Sequence, residues 1–162
     1  MKFDPEIRAA VLTASDTRTK ATDESGTILV GLLLGLGIGV AERVIVPDDF
    51  ETIREALISF ADKAQVDLIL TTGGTGFADR DVTPEATLAV IDREAPGIAE
   101  AIRRETAAST KFAMLSRAVA GIRGKTLIIN LPGSPKGVRE CFAVLEPVLV
   151  HALKLIRGET GH

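Results

Sequence analysis

One stretch limits the possible folds more than any other. Asp67-Leu-Ile-Leu-Thr71 is a short apolar run without polar alternation, as expected of a strand covered on both faces. Gly73, Gly74 and Gly76 follow, then Asp79, Arg80 and Asp81. Thr83-Pro84-Glu85 reads as a helix start, with Thr as N-cap, Pro at the first helical position and an acid in the first turn. Glycines at a strand end let backbone N–H groups approach an anionic oxygen closely. Carboxylates beside such a nest suit a metal that bridges to phosphate. A tight turn with acidic surface residues would carry the same letters, so this stretch alone leaves both readings open.

Strand and helix alternate on either side of it. Residues 7–13 form an apolar run that ends in Thr13-Ala-Ser-Asp-Thr17, where Ser15 and Asp16 can cap a helix, the plainer reading, or bind a ligand, and 18–26 is polar, the expected place for a mobile loop. A helix over 26–36 and a strand over 40–46 follow; the strand ends at Pro47-Asp48-Asp49, where either aspartate can cap the next helix. Ile53, Leu57, Phe60, Ala61 and Ala64 make an apolar stripe that predicts an amphipathic helix over 51–64. Beyond the glycine turn the spacing predicts helices over 85–93 and 98–110, a connector at 112–116, and a hairpin of strands 117–122 and 126–131. Ser134 and Pro135 open a C-terminal helix striped by Val138, Phe142, Leu145, Leu149, Ala152 and Ile156, and Pro147 predicts a kink or a division in it.

This is α/β alternation over one domain, 1–162. In an open parallel sheet the carboxyl ends of the strands share one edge, where ligands bind. Ser15 and Asp16, Asp48 and Asp49, residues 73–81, and Gly133 with Ser134 should therefore converge, and Lys136 reads as a phosphate contact or as a solvated first-turn residue, with the former preferred. A net charge of −3, scattered Lys and Arg, and 4% aromatics without Trp or Tyr argue against a nucleic-acid partner. The apolar run at 28–41 is too short to span a bilayer and is broken by four glycines, so no membrane partner is expected. The polar start Met1-Lys-Phe-Asp-Pro-Glu6 does not read as a signal peptide, and the single Cys141 fits a reducing compartment, so the expected location is cytoplasmic. Gly124-Lys125-Thr126 imitates the end of a Walker loop, but position 119 is Val and a strand follows, so the motif is rejected.

Thr71-Thr-Gly-Gly-Thr-Gly76, Arg80-Asp-Val-Thr-Pro-Glu-Ala-Thr87 and Leu131-Pro-Gly-Ser-Pro-Lys136 together resemble the molybdenum cofactor biosynthesis family of Mog and MoaB type. The likeness extends from Thr13-Ala-Ser-Asp16 through Pro47-Asp48 and Leu115-Ser-Arg117 to the C-terminal helix. The resemblance implies a three-layer α/β/α fold with a mostly parallel sheet, commonly a homotrimer. It implies molybdopterin adenylyltransferase activity with ATP, molybdopterin and Mg2+, and hand-over to a molybdenum-insertion protein. Asp48 and Asp81 match the family's functional, metal-linked aspartates. Ser15, Asp16, Thr72, Gly73, Gly74, Thr75, Gly76, Pro132, Gly133, Ser134 and Lys136 fall in its substrate-binding segments. The chain lacks the extra segment that Mog enzymes carry before the final helix, as MoaB-like members do, so a non-catalytic molybdopterin-binding or carrier protein is the alternative. The competence and damage-inducible proteins share the domain and offer a third, nucleotide-processing reading.

Overall fold

The computed structural model describes residues 7–159, so Met1 to Glu6 lie outside the described residues. Four strands run parallel: β1 (Arg8–Ala14), β2 (Gly39–Val46), β3 (Leu68–Thr72) and β6 (Thr126–Leu131). Two more, β4 (Arg93–Glu94) and β5 (Ala120–Arg123), add an antiparallel edge, and the sheet order is β2-β1-β3-β6-β5-β4. The chain winds to one side of β1 and then to the other, which makes the β1/β3 boundary the topological switch point, where open α/β sheets form their crevice.

The helices are α1 (Glu24–Gly35), α2 (Phe50–Ile58, continued by a π turn at Ser59–Lys63), α3 (Thr83–Leu88), α4 (Pro96–Thr106) and α5 (Pro135–Ile156). Successive strand residues feed opposite faces, as the pleat requires. Val11, Leu68, Leu70, Leu127 and Ile129 pack with Leu29 and Leu33 of α1, Ile102 of α4, and Phe142, Leu145 and Leu149 of α5. Leu12, Ile69 and Ile128 pack on the other face with Ile53 and Leu57 of α2 and Ala86 of α3. The result is the expected three-layer α/β/α fold with a mostly parallel sheet. Each fully buried Leu or Ile contributes about 1.5–3 kcal/mol over its exposed state, so the core fixes where the strands end.

The register sets those ends level. Ala14 pairs with Val46, Thr13 with Thr72, and Thr72 with Leu131. The loops that leave β1, β2, β3 and β6 therefore start side by side.

Several local expectations change. Helix α1 begins before Gly26, because buried Asp23 caps it by accepting from Gly26 N at 3.1 Å. Asp23 also accepts from Thr13 Oγ1 at 2.7 Å and pairs with Arg43 at 3.3 Å, so the polar segment before α1 is tied to the sheet. Neither Ser15 nor Asp16 caps a helix; the Ser15 hydroxyl accepts from Thr17 N and Arg18 N instead. The cap position of α3 falls on Val82, and Thr83 makes no capping bond. That helix ends early, and the two-residue β4 occupies part of its predicted span. Arg117 to Val119 are not strand; β5 starts at Ala120. Helix α5 is undivided despite Pro147, which lies on its exposed side, where water can take the carbonyl that loses its N–H partner.

Candidate active site

The loop after β3 is built around backbone that side chains would obstruct. Gly73 has φ +95° and donates to the Leu131 carbonyl at 3.2 Å; a Cβ there would run into the Ala14 carbonyl oxygen. Gly74 has φ +70°; its Cβ would collide with Thr83 Oγ1 and stand 3.3 Å from Asp48 Oδ1. A Cβ on Gly76 would lie 2.8 Å from Asp81 Oδ2. The loop thus passes beneath both aspartates, Asp48 above Gly74 and Asp81 above Gly76.

Asp48 and Asp49 have separate tasks. Asp49 caps α2, accepting from Thr52 N at 2.9 Å and from its hydroxyl at 2.7 Å. Asp48 exchanges bonds with Asp16: Asp16 N donates to Asp48 Oδ2 at 3.1 Å, and Asp48 N donates to Asp16 Oδ1 at 2.9 Å. Arg80 closes a fork on the same Asp16 carboxylate at 2.9 and 2.8 Å. The Arg80 guanidinium holds the Asp16 carboxyl below its usual value, helped by the Asp48 N–H. Burial pushes Asp48 up, reinforced by the charge of Asp16 and, more weakly, of Asp81. Asp81 Oδ2 accepts from Ala78 N at 3.0 Å.

The loop after β6 meets the glycine loop edge to edge. Thr72 Oγ1 donates to the Pro132 carbonyl at 2.7 Å, and a Cβ on Gly133 would lie 3.4 Å from Gly73 Cα. Ser134 caps α5 by accepting from Gly137 N at 3.0 Å, so the N-terminus of that long helix opens at the site and favours anions there. Lys136 stands apart: its side chain is 80% exposed and faces Glu140 Oε1 at 3.8 Å.

Arg117 and Asn130 carry more of the site than their letters suggest. Arg117 donates to the carbonyls of Gly76 (2.8 Å) and Asp81 (2.6 Å) and pairs with Glu85 at 2.7 Å, while its backbone N–H reaches the Thr75 carbonyl at 2.9 Å. It fastens the outer arm of the loop that bears Asp81. Asn130 donates to Thr71 Oγ1 and Thr87 Oγ1, both at 3.0 Å, and so joins the strand before the glycines to α3. A polar residue inside the apolar run of β6 was the signal for Asn130; Arg117 gave none beyond its place in the family motif.

The joined loops separate two clefts. One, of about 240 Å³ at the switch point, is lined by Ser15, Arg18, Thr72, Gly73 and Gly133. The other, of about 330 Å³, is lined by Thr75, Gly76, Asn130 and Ser134, with Phe112 and Leu115 on its far wall. A larger hollow of about 550 Å³ lies at the opposite end of the strands, around Asp62, Arg123 and Lys125. It touches none of the candidate residues, and Arg123 is already neutralised there by Asp62 at 2.7 Å; size does not mark the site.

Among the described residues no three carboxylate, histidine or cysteine side chains gather into a metal cage. Magnesium binds through one or two carboxylates and completes its shell with water and substrate phosphates. Two carboxylates beside an anion-seeking loop fit that sparse donor set.

A family model described as "Probable molybdopterin binding domain" matches residues 10–151. The molybdopterin adenylyltransferase of Helicobacter pylori strain J99 is 42% identical over 156 residues, covering 94% of this chain and 89% of that protein. The molybdenum cofactor synthesis protein cinnamon of Drosophila melanogaster is 45% identical over 159 residues, 96% of this chain but only 26% of that longer protein. The crystal structure of the molybdopterin biosynthesis enzyme MoaB from Thermus thermophilus superposes with a TM-score of 0.87 at 47% identity, covering 94% of this chain and 97% of that one. With the glycine loop, its two aspartates and the Ser134 loop in one place, the chain belongs to the Mog and MoaB family of molybdopterin-binding domains.

Proposed function

We propose that this protein is a molybdopterin adenylyltransferase of molybdenum cofactor biosynthesis. The observation that carries the reading is the pair of clefts on either side of one glycine loop, with Asp48 and Asp81 above it. Two substrates that must exchange a group need adjoining sites. The relative from Helicobacter pylori, nearly matched in length, bears this activity in its name.

A phosphate oxygen of molybdopterin attacks the α-phosphorus of ATP, the bond to the departing pyrophosphate breaks, and adenylyl-molybdopterin forms. The nucleophile is already an anion, so the protein has to align it and offset charge rather than remove a proton. Arg18 and the backbone of Gly73 give the smaller cleft its phosphate-binding character, and the apolar wall of Phe112 and Leu115 offers the larger one to a flat heterocycle. Asp48 and Asp81 would hold magnesium, which supplies charge neutralisation for the phosphates when bound. The chain would act as a cytoplasmic homotrimer and pass its product to a molybdenum-insertion protein; exposed Phe77, Phe112 and Met114 offer apolar contact surface. The second reading, a molybdopterin-binding protein without transfer activity, is favoured by the lack of the extra segment before the final helix, as in MoaB-like members.

Asp48→Asn and Asp81→Asn decide between them. Each variant should still bind molybdopterin through the glycine and Ser134 loops, while adenylyl transfer drops by about a hundredfold or more, the usual consequence of losing one well-placed electrostatic group. Parent protein that binds the pterin but releases no pyrophosphate from ATP would establish the second reading. Variants that transfer at the parent rate would remove both aspartates from the reaction.

A further inference from the structure

Most buried threonine hydroxyls in this fold are spoken for. Thr13 bonds Asp23, Thr71 accepts from Asn130, and Thr72, Thr87, Thr106 and Thr126 each donate to a backbone carbonyl. Among the described residues Thr75 and Thr83 differ: neither hydroxyl has a hydrogen-bond partner, and Thr83 is the one that is fully buried with its Oγ1 sealed from solvent. Its backbone is satisfied, since Thr83 N donates to the Gly74 carbonyl at 3.2 Å and its own carbonyl accepts from Thr87 Oγ1 at 2.9 Å. Only the hydroxyl is left over. A buried polar atom without a partner destabilises the fold, and valine has the same shape without that penalty.

The position of the hydroxyl suggests its use. Oγ1 borders the point where a Gly74 Cβ would sit, and Asp48 Oδ1 borders the same point at 3.3 Å. Asp48 Oδ2 is held by Asp16 N, whereas Oδ1 has no hydrogen-bond partner among the described residues. A donor and an acceptor, both unpaired, thus face one atom-sized gap that glycine keeps clear.

We propose that Thr83 is a positioning residue for Asp48: its Oγ1–H takes Asp48 Oδ1 when substrate occupies the cleft. Incoming phosphates repel the carboxylate, and a fixed donor behind it keeps one oxygen aimed forward. Gly74 serves the pair by lacking a side chain. The proposal rests on the adenylyltransferase reading, and its test separates the two.

Thr83→Val and Thr83→Ser are made in the full chain, alone and with Asp48→Asn, and followed by thermal melting, by transfer kinetics, and by titration with magnesium-ATP. Thr83→Val should melt about 2–4 °C higher than the parent, because an unpaired buried hydroxyl is gone. Its kcat should fall at least tenfold with KM for molybdopterin within about twofold, and Thr83→Ser should recover most of the rate. In the Asp48→Asn background Thr83→Val should cost nothing further. A Thr83→Val protein at the parent rate overturns the proposal, and so does one that melts lower and loses activity together, the mark of a structural bond. If the parent performs no transfer, the adenylyltransferase reading fails by itself. Thr83 is then judged by magnesium-ATP affinity: a fivefold or greater loss in Thr83→Val supports its role, and unchanged affinity overturns it.

Discussion

Replacing Arg117 by Lys should damage the site more than the fold. The guanidinium spans the Gly76 and Asp81 carbonyls while it holds Glu85. A lysine ammonium is a single point on a flexible stem and cannot make that span. Hydrogen bonds from a charged donor are each worth about 1.5–3 kcal/mol. The Arg117 side chain is 35% exposed, so the low end applies. With one of the two carbonyl bonds lost, the loss is about 1.5–2 kcal/mol, or a drop of about 3–8 °C in melting temperature for a chain of this size. Activity should suffer further, since the freed segment carries Asp81, and a displacement of about 1 Å at a reacting group costs about a hundredfold. Glu85→Gln is the control. It removes only the charge of a half-exposed ion pair, worth about 0–1 kcal/mol, and leaves both carbonyl bonds in place. Melting curves and single-turnover formation of adenylyl-molybdopterin read both effects. If Arg117→Lys transfers within twofold of the parent, or if Glu85→Gln is equally damaging, the clamp does not position Asp81.

Gly73→Ala should destabilise by at least about 2 kcal/mol, from its positive φ and the collision with the Ala14 carbonyl, whereas Gly97→Ala, with open space around it, should be neutral or stabilising by up to about 1 kcal/mol; denaturant titration ranks the two. Burial, aided by the charge of Glu140, pushes the Cys141 thiol up to about 11 from its ordinary 9.0. The unfolded chain then sheds this proton first, so the stability contribution is intact below pH 9 and is lost as pH rises toward 11; Cys141→Ala should flatten that part of the pH–stability curve. The native thiol should also resist alkylation at pH 8 and react fully in urea. Light scattering at micromolar concentration should return three times the monomer mass, and a stable monomer would count against the trimer.

The four parallel strands were legible because each is a short apolar run ended by polar or glycine residues, and their shared edge followed from topology. What escaped reading depends on contacts distant in sequence. Strand β4 is two exposed residues, Arg93 and Glu94, that pair only because β5 lies beside them. Arg117 was absorbed into a predicted strand because Ala118, Val119 and Ala120 continue the apolar run. Asp23 looked like part of a polar loop, yet burial against Thr13 and Arg43 makes it the start of α1. The motif pointed to Asp48 over Asp49, and in the structure Asp49 caps α2 through Thr52 while Asp48 bonds Asp16 beside Gly74. Thr83 fits the cap pattern in letters, but its hydroxyl faces Gly74 and not the helix end.

The mutual bonds of Asp16 and Asp48, with Arg80 locked onto Asp16, bind three loops from three adjacent strands into one hoop. Asp16 is the shared member, and exchanging it releases both Asp48 and Arg80, so the trio should travel as a unit when such a domain is recombined or redesigned. Loop grafts that respect the hoop should keep a working mouth, and grafts that divide it should yield well-folded proteins with a slack one. Variation that retunes which pterin or nucleotide is accepted is then best sought in the walls, at Phe112 and Leu115, which lie outside the hoop.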